Sequence, residues 1–345
     1  NLLMRRFLIF SALFIAAFYS KAQDSLSFSF YLDTYYTYDF SNPNNNQRQY
    51  VTQVARHNEF NFNLALLKTS YQNDHLRANL ALQAGTYPLI NYAEPTVLGQ
   101  ILHEANVGVR IGENSWIDAG IMGGHFGYES ALSLNNELYS QAFATEYTPY
   151  YQTGVQFSTQ FSEEVIFRAV VINGWQNIYE TNDAKAAGIA LDYLLDENFT
   201  FGYGNFFGRE PSGTEDALRI HNNVYASYQQ DGLSATAVLD LTLQEDGNSY
   251  ENVLFITLIG EYSLRESLSV SGRYEYVQDA TNILIGTQPF QTHILSTSLN
   301  YCIRKNIAFR AEGKLYFGNE PIWNVDNGSN YNNQALTTGL TIMIE

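Results

Sequence analysis

Leu233-Ser-Ala-Thr-Ala-Val-Leu-Asp-Leu-Thr-Leu-Gln244 is the stretch that decides the fold. Leu233, Ala235, Ala237, Leu239, Leu241 and Leu243 alternate with Ser234, Thr236, Asp240, Thr242 and Gln244. A β-strand sends successive side chains to opposite faces, so this segment has one apolar face and one polar face. The same alternation recurs outward in both directions. Leu26, Phe28, Phe30 and Leu32 alternate with Ser27, Ser29, Tyr31 and Asp33; Leu76, Ala78, Leu80 and Leu82 with Arg77, Asn79, Ala81 and Gln83; Ile307, Phe309, Ala311, Leu315 and Phe317 with Arg310, Glu312 and Lys314. The pattern predicts sixteen strands, within a range of 14 to 18, at about 25–40, 58–72, 75–87, 100–112, 116–127, 147–161, 165–173, 185–195, 199–208, 218–229, 233–244, 250–264, 268–278, 291–303, 307–317 and 332–345. After residue 24 no apolar run approaches 18 residues, which excludes a helical membrane protein.

The connections separate a soluble β-protein from a membrane barrel. Every second predicted connection has two or three residues, whereas the other eight have 17, 12, 19, 11, 9, 5, 12 and 14. A sandwich gives no reason for one end to carry all the length. An outer-membrane barrel has an even strand count, short periplasmic turns and long external loops. Six of the seven prolines fall in or beside the long loops and Pro149 sits at a strand top, so none removes a ladder hydrogen bond in the bilayer. Tyr35, Tyr36, Tyr38, Phe40, Tyr147, Tyr150, Tyr151, Phe206 and Phe207 lie near strand ends, as interfacial girdles require. The expected fold is an all-β, transmembrane, antiparallel up-and-down barrel that contacts outer-membrane lipid.

Composition agrees. The chain has 345 residues with 26 Tyr and 22 Phe, too rich in packing groups for disorder, and its single Cys removes any disulfide framework or multi-Cys metal site. A net charge of −17 argues against wrapping nucleic acid. From Met4, two arginines, an apolar stretch Phe7–Phe18 and Ser20-Lys21-Ala22 form a secretory leader, with cleavage expected after Ala22 and residues 1–3 an upstream extension. No Cys near that site marks a lipoprotein. Residues 1–22 hold three cations and no acid, so the mature chain, residues 23–345, would be a single barrel domain of net charge −20, from −17 less 3.

Asp33-Thr-Tyr-Tyr-Thr-Tyr-Asp-Phe40, Gln83-Ala-Gly-Thr-Tyr87, Glu104-Ala-Asn-Val-Gly108, His125-Phe-Gly-Tyr-Glu-Ser-Ala131, Tyr147-Thr-Pro-Tyr-Tyr-Gln-Thr-Gly154 and Asn173-Gly-Trp-Gln-Asn-Ile178 resemble the OmpL-like outer-membrane β-barrel porins common in Bacteroidota. Asn222-Asn-Val-Tyr225 extends the likeness, which is looser after about residue 230. The resemblance implies a porin-like barrel in the bacterial outer membrane and brings no substrate with it.

Sixteen strands leave an aqueous channel rather than a filled core. The polar face should line it with Arg77, Arg110, Arg168, Arg219, Arg273, Arg310 and Lys314, against Glu104, Asp118, Asp192, Asp240, Glu261, Glu275 and Glu312. Pairing across strands is as good a role for most of these as transport, and Arg310, Glu312 and Lys314 beside Arg273 and Glu275 resemble such a ladder. The long loops hold 14 acids (Glu94, Glu129, Glu137, Glu146, Glu180, Asp183, Glu210, Glu215, Asp216, Glu245, Asp246, Asp279, Glu320 and Asp326) against Arg48, Arg56 and Arg209, a net −11 at the outer mouth that suggests mild cation preference.

The third external loop, 128–146, places Ala131, Leu134, Leu138 and Ala142 at helical spacing. By analogy with general porins it folds inward as a constriction and presents Glu129, Glu137 or Glu146 to Arg77, Arg110 or Arg168; a helix packed over the rim is the alternative. No catalytic or metal constellation stands out. The six histidines lack zinc spacing, His103-Glu104 reads as a surface contact, Gly202-Tyr-Gly204 lies within a strand, and Asp326-Asn-Gly-Ser-Asn330 reads as a polar turn rather than a calcium site. The sequence therefore favours a passive channel for small hydrophilic solutes with no cofactor. A plugged or narrow barrel that binds a surface partner comes second, a membrane-embedded enzyme third, and a homo-oligomer is compatible with the first two.

Overall fold

A computed structural model describes residues 25–92, 96–212, 215–286, 289–325 and 328–345. The expected leader, Glu94 and Asp326 lie outside them. β1 (Ser25–Asp39), β2 (Phe60–Gln72), β3 (Leu76–Ala84), β4 (Leu102–Gly112), β5 (Ser115–Gly123), β6 (Tyr151–Gln160), β7 (Val165–Ile172) and β8 (Ala186–Leu194) form the first half of a closed antiparallel barrel. β9 (Phe199–Ser212), β10 (Glu215–Gln230), β11 (Leu233–Asp246), β12 (Ser249–Arg265), β13 (Leu268–Asp279), β14 (Phe290–Arg304), β15 (Ile307–Gly318) and β18 (Asn332–Ile344) complete its sixteen strands. A small hairpin, β16 (Trp323–Val325) with β17 (Gly328–Asn330), stands outside the wall in the last loop. The barrel closes where β1 pairs with β18, Phe30 opposite Ile344 through Asp39 opposite Ala335.

The decisive alternation is inside-out relative to a soluble core. On β11, outward Leu239 is 44 % exposed while its inward neighbour Asp240 is 3 % exposed. Outward Leu67, Leu80, Val107, Val155, Leu258, Leu295 and Leu340 form a continuous exposed apolar band. Exposed Phe28, Phe161, Tyr193, Tyr262 and Tyr301 ring its short-turn end, and Tyr38, Phe40, Phe60, Phe207, Tyr250 and Phe317 its long-loop end. An apolar belt between two aromatic girdles is what a bilayer-spanning barrel presents to lipid.

The short turns follow local chemistry. Asp231 and Gly232 both have positive φ, 49° and 82°, the pairing a two-residue hairpin needs. Asn73 Oδ1 accepts from the amides of His75 and Leu76, and Asp196 Oδ1 from those of Asn198 and Phe199. At the other end two predicted loops contract. β9 runs to Ser212 and β10 starts at Glu215, while β11 and β12 flank only residues 247–248. The ladders there continue above the apolar band, where alternation no longer marks them, so long and short connections do not alternate throughout. Pro211 consequently sits in β9, opposite Asp216 at its outer end. Strand β3 ends early because Gly85, at φ 137°, turns the chain into a short helix, Thr86–Asn91. The third external loop is correspondingly longer than expected, spanning 124–150.

Candidate channel interior

The third loop enters the bore and binds the wall formed by β13, β14, β15, β18 and β1. Arg273 Nη1 lies 3.0 Å from Glu129 Oε1 and donates to the Ser140 carbonyl at 2.8 Å, while Nη2 donates to the Gln141 carbonyl at 2.8 Å. Arg310 donates to the carbonyls of Ser133 and Leu138, and Lys314 to that of Gln141 at 3.0 Å. Glu312 accepts the Ser140 amide at 2.7 Å, and Glu275 accepts that of Phe143. The deepest contact is the Glu137 carbonyl, which accepts from Ser271 Oγ and Asn300 Nδ2 close to the inner end of β13. Tyr139 donates to Asp33 Oδ1 at 2.7 Å, and Tyr31 Oη accepts from the Ser133 amide.

These contacts correct three expectations. Glu129 meets Arg273, on the opposite side of the bore from Arg77, Arg110 and Arg168. Those cations are already engaged by their own wall. Arg77 on β3 reaches Asp118 on β5 across Gly108, whose missing side chain leaves the space; Arg168 pairs with Asp192; and Arg110 lies 5.0 Å above the Trp116 ring, with Arg77 at 4.5 Å. Among the described residues Glu137 and Glu146 form no ion pair with Arg77, Arg110 or Arg168. Glu137 accepts from Tyr128 at 2.6 Å, and Glu146 from the Thr52 amide at 2.8 Å in the first external loop. Nor is 131–142 a helix. Only a 3₁₀ turn, Ser133–Asn135, and a four-residue helix, Phe143–Glu146, form, because Arg273, Arg310 and Lys314 take the carbonyls of Leu138, Ser140 and Gln141 that a helix would pair internally.

The predicted ladder of Arg273, Glu275, Arg310, Glu312 and Lys314 is therefore partly a wall network and partly a dock. Arg273 Nε pairs with Glu275 at 2.8 Å and Lys314 lies 3.7 Å from the same carboxylate, but most of the remaining capacity of the group faces the loop. The two sides of the bore differ sharply in wetness. Side chains of Arg273 and Glu129 are 0 % and 2 % exposed, whereas Lys68, Arg77, Arg168 and Asp192 on the β2–β8 side retain 33, 17, 18 and 27 %. Arg219 is buried, donates to Gln244 and lies 5.1 Å above the Trp175 ring of the fourth loop. Asp240 accepts from Asn223 at 2.7 Å and lies 3.2 Å from His221 Nε2.

Several features were not legible beforehand. Inward glycines serve as sockets for the third loop: Gly188 for His125, Gly204 for Phe126 and Gly339 for the Tyr139 ring. Their signal was glycine on the polar face of an otherwise regular strand. Toward the outer end Phe143, Phe255, Phe290, Ile294, Ile322 and Trp323 form an apolar cluster inside the barrel, where a wet lumen was expected to be polar throughout. Arg48, on the first loop, is buried against Asp39 at 3.1 Å. The outer mouth is also less acidic than the net −11 implied. Glu129, Glu137 and Glu146 lie within the bore, Asp279 is buried accepting the amides of Ile283, Leu284 and Ile285, and Glu210 is buried accepting that of Trp175. Among the described residues no cluster of three or more His, Cys, Asp or Glu could hold a metal. His103 contacts Gln83 and Glu104 pairs with Lys68.

A closed sixteen-strand barrel, apolar outside and polar within, defines an outer-membrane porin-type protein. Residues 25–344 match the family described as "putative beta-barrel porin-2, OmpL-like", and the chain belongs to that family. The barrel resides in the bacterial outer membrane. No curated protein matches it significantly in sequence. Among solved structures it is similar to an anion-selective porin from Comamonas acidovorans (10 % identity, TM-score 0.63, 93 % of this chain and 100 % of that one). It is similar also to the outer membrane channel DcaP of Acinetobacter baumannii (11 %, 0.63, 94 % and 99 %) and to Salmonella typhi OmpF (13 %, 0.61, 92 % and 97 %). At such identities the likeness establishes the fold.

Proposed function

We propose that this barrel is a passive channel for small hydrophilic solutes, non-enzymatic, in which the third loop sets the constriction. The observation that carries the reading is the asymmetry of the bore: the loop is tied down on the β13–β1 side, while Lys68, Arg77, Arg168 and Asp192 on the β2–β8 side stay partly wet, with Asp118 buried against Arg77. Arg77, Arg110, Asp118 and Arg168 would line the conducting side; Arg273, Glu275, Arg310, Glu312 and Lys314 would hold the loop; Arg219 and Asp240 would flank it. Glu129 would edge the constriction, and Glu137 and Glu146 would brace it. The channel would prefer cations mildly, an expectation that rests on Asp240 bordering the gap between the loop and the β10–β12 wall rather than on mouth charge. One structural neighbour, OmpT of Vibrio cholerae, is described in trimer form, and on that likeness this barrel would form a homo-oligomer.

Planar-bilayer recording of the purified protein tests the reading. Stepwise conductance with a reversal potential favouring Na⁺ in a NaCl gradient is expected. A potential favouring Cl⁻ would refute the preference, and no conductance at all would favour a second reading: a closed barrel that binds a surface partner. The apolar cluster of Phe143, Phe290 and Trp323 inside the outer end is the observation behind that alternative.

A further inference from the structure

Between the third loop and the β10–β12 wall lies a cavity of about 20 Å³, bordered by Tyr128, Glu129 and Thr145 on the loop and by Asn223, Asp240 and Thr257 on the barrel. Hydrogen bonding fixes the orientation of the Asn223 amide beside it. Asn223 Nδ2 donates to Asp240 Oδ1 at 2.7 Å, and because a carboxylate can only accept, the amide cannot sit the other way round. Asn223 Oδ1 therefore points away from Asp240. Asn223 is 2 % exposed, and this oxygen has no hydrogen-bond partner among the described residues. His221 Nε2 approaches the same Asp240 Oδ1 at 3.2 Å, its Nδ1 being occupied by Thr242 Oγ1. His221 Nε2 makes no hydrogen bond at that distance, so Asn223 alone among the described residues donates to this carboxylate, at Oδ1. Across the gap, the charge of Glu129 is already matched by Arg273 at 3.0 Å.

A buried acceptor without a donor is unfavourable unless something fills the space beside it. What this site offers is an amide oxygen, a carboxylate oxygen and the Thr257 hydroxyl, with no sulfur and no imidazole among its lining residues. Hard cations take such all-oxygen sets. One net negative charge, in a space with room for little more than a water, suits an ion of single charge that has shed most of its hydration. We propose that this cavity is a binding site for a monovalent inorganic cation, Na⁺ or K⁺, held by Asn223 Oδ1, the Asp240 carboxylate and Thr257 Oγ1. The inference deepens the proposed cation preference and rests on the channel reading only for the route by which ions reach the site.

Sodium-23 line broadening on the detergent-solubilised protein tests it, with NaCl titrated against choline chloride at constant ionic strength. The wild type should show a saturable component that KCl displaces. Asp240→Asn should weaken Na⁺ affinity by roughly tenfold or more, since the single uncompensated charge is gone. Thr257→Val, nearly isosteric, should weaken it less and serves if Asp240→Asn fails to give the folded barrel in gel migration. No saturable component in the wild type, or equal affinity in the folded variants, would overturn the proposal in favour of a cavity holding water only. Parallel bilayer recordings separate the two readings: conductance without saturable binding sinks the site alone, and saturable binding without conductance sinks the channel alone.

Discussion

Arg273→Met is the sharpest perturbation of the loop dock. Arg273 lies on β13, buried to 2 % exposure, and joins the third loop to the wall through Glu129, Ser140 and Gln141 while also holding Glu275. Methionine fills most of the space with no donor. Two buried carboxylates, Glu129 and Glu275, are then left with Lys314, 3.7 Å from Glu275, as the remaining ion-pair partner among the described residues. Removing one partner of a buried ion pair costs about 3–5 kcal/mol, most of it the penalty of the stranded charge. The strands cannot relieve this, because β13 is laddered to both neighbours along its length. The loop can, by lifting Glu129 into water. If that relief returns about 3 kcal/mol, the ratio of released to docked loop rises by roughly a hundredfold.

Single-channel recording should then show a larger mean conductance, or flicker between two levels, in Arg273→Met. Deletion of residues 132–141 should give the upper level permanently. Arg273→Lys, which keeps the charge but loses the fork that reaches Glu129, Ser140 and Gln141 together, should fall between. Wild-type conductance and noise in Arg273→Met, with the deletion also unchanged, would refute the constriction reasoning outright.

Three further outcomes follow from the same geometry. Burial raises the Glu137 carboxyl from the usual 4.5 to about 7, with Glu261 and Glu129 adding repulsion against the hydrogen bond from Tyr128. The docked loop therefore holds a proton that the released loop would lack between those values, so docking weakens as pH rises through 7; conductance should be higher at pH 8 than at pH 5, and Glu137→Gln should flatten the difference. Gly339→Ala places a methyl where the Tyr139 ring sits, an overpacking worth about 1–3 kcal/mol that should appear as a lower melting temperature and a more open channel. Leu239→Arg puts a charge on the lipid face of β11, and urea titration of folding into vesicles should register a loss of roughly 2–4 kcal/mol, whereas a shift below 0.5 would argue that this face is not in lipid.

The sequence by itself determined the barrel. Period-two alternation is set by the backbone of each strand alone, so Leu239 outward and Asp240 inward, repeated through sixteen strands, could be read without knowing any partner. The inward placement of Arg77, Arg168, Arg273 and Arg310 came with it for the same reason. Which acid each of these meets was another matter. Arg77 finds Asp118 because register brings Gly108 between them, and Arg273 finds Glu129 because the third loop crosses to the far wall; both depend on contacts between residues 41 and 144 positions apart. The helical spacing within loop 124–150 forms no helix, since the carbonyls of Leu138, Ser140 and Gln141 are bound by cations of distant strands instead of by its own amides. Only the tertiary structure could decide that this segment lies inside the bore, that glycines receive its aromatic side chains, and that Asn223 and Asp240 are left facing a gap.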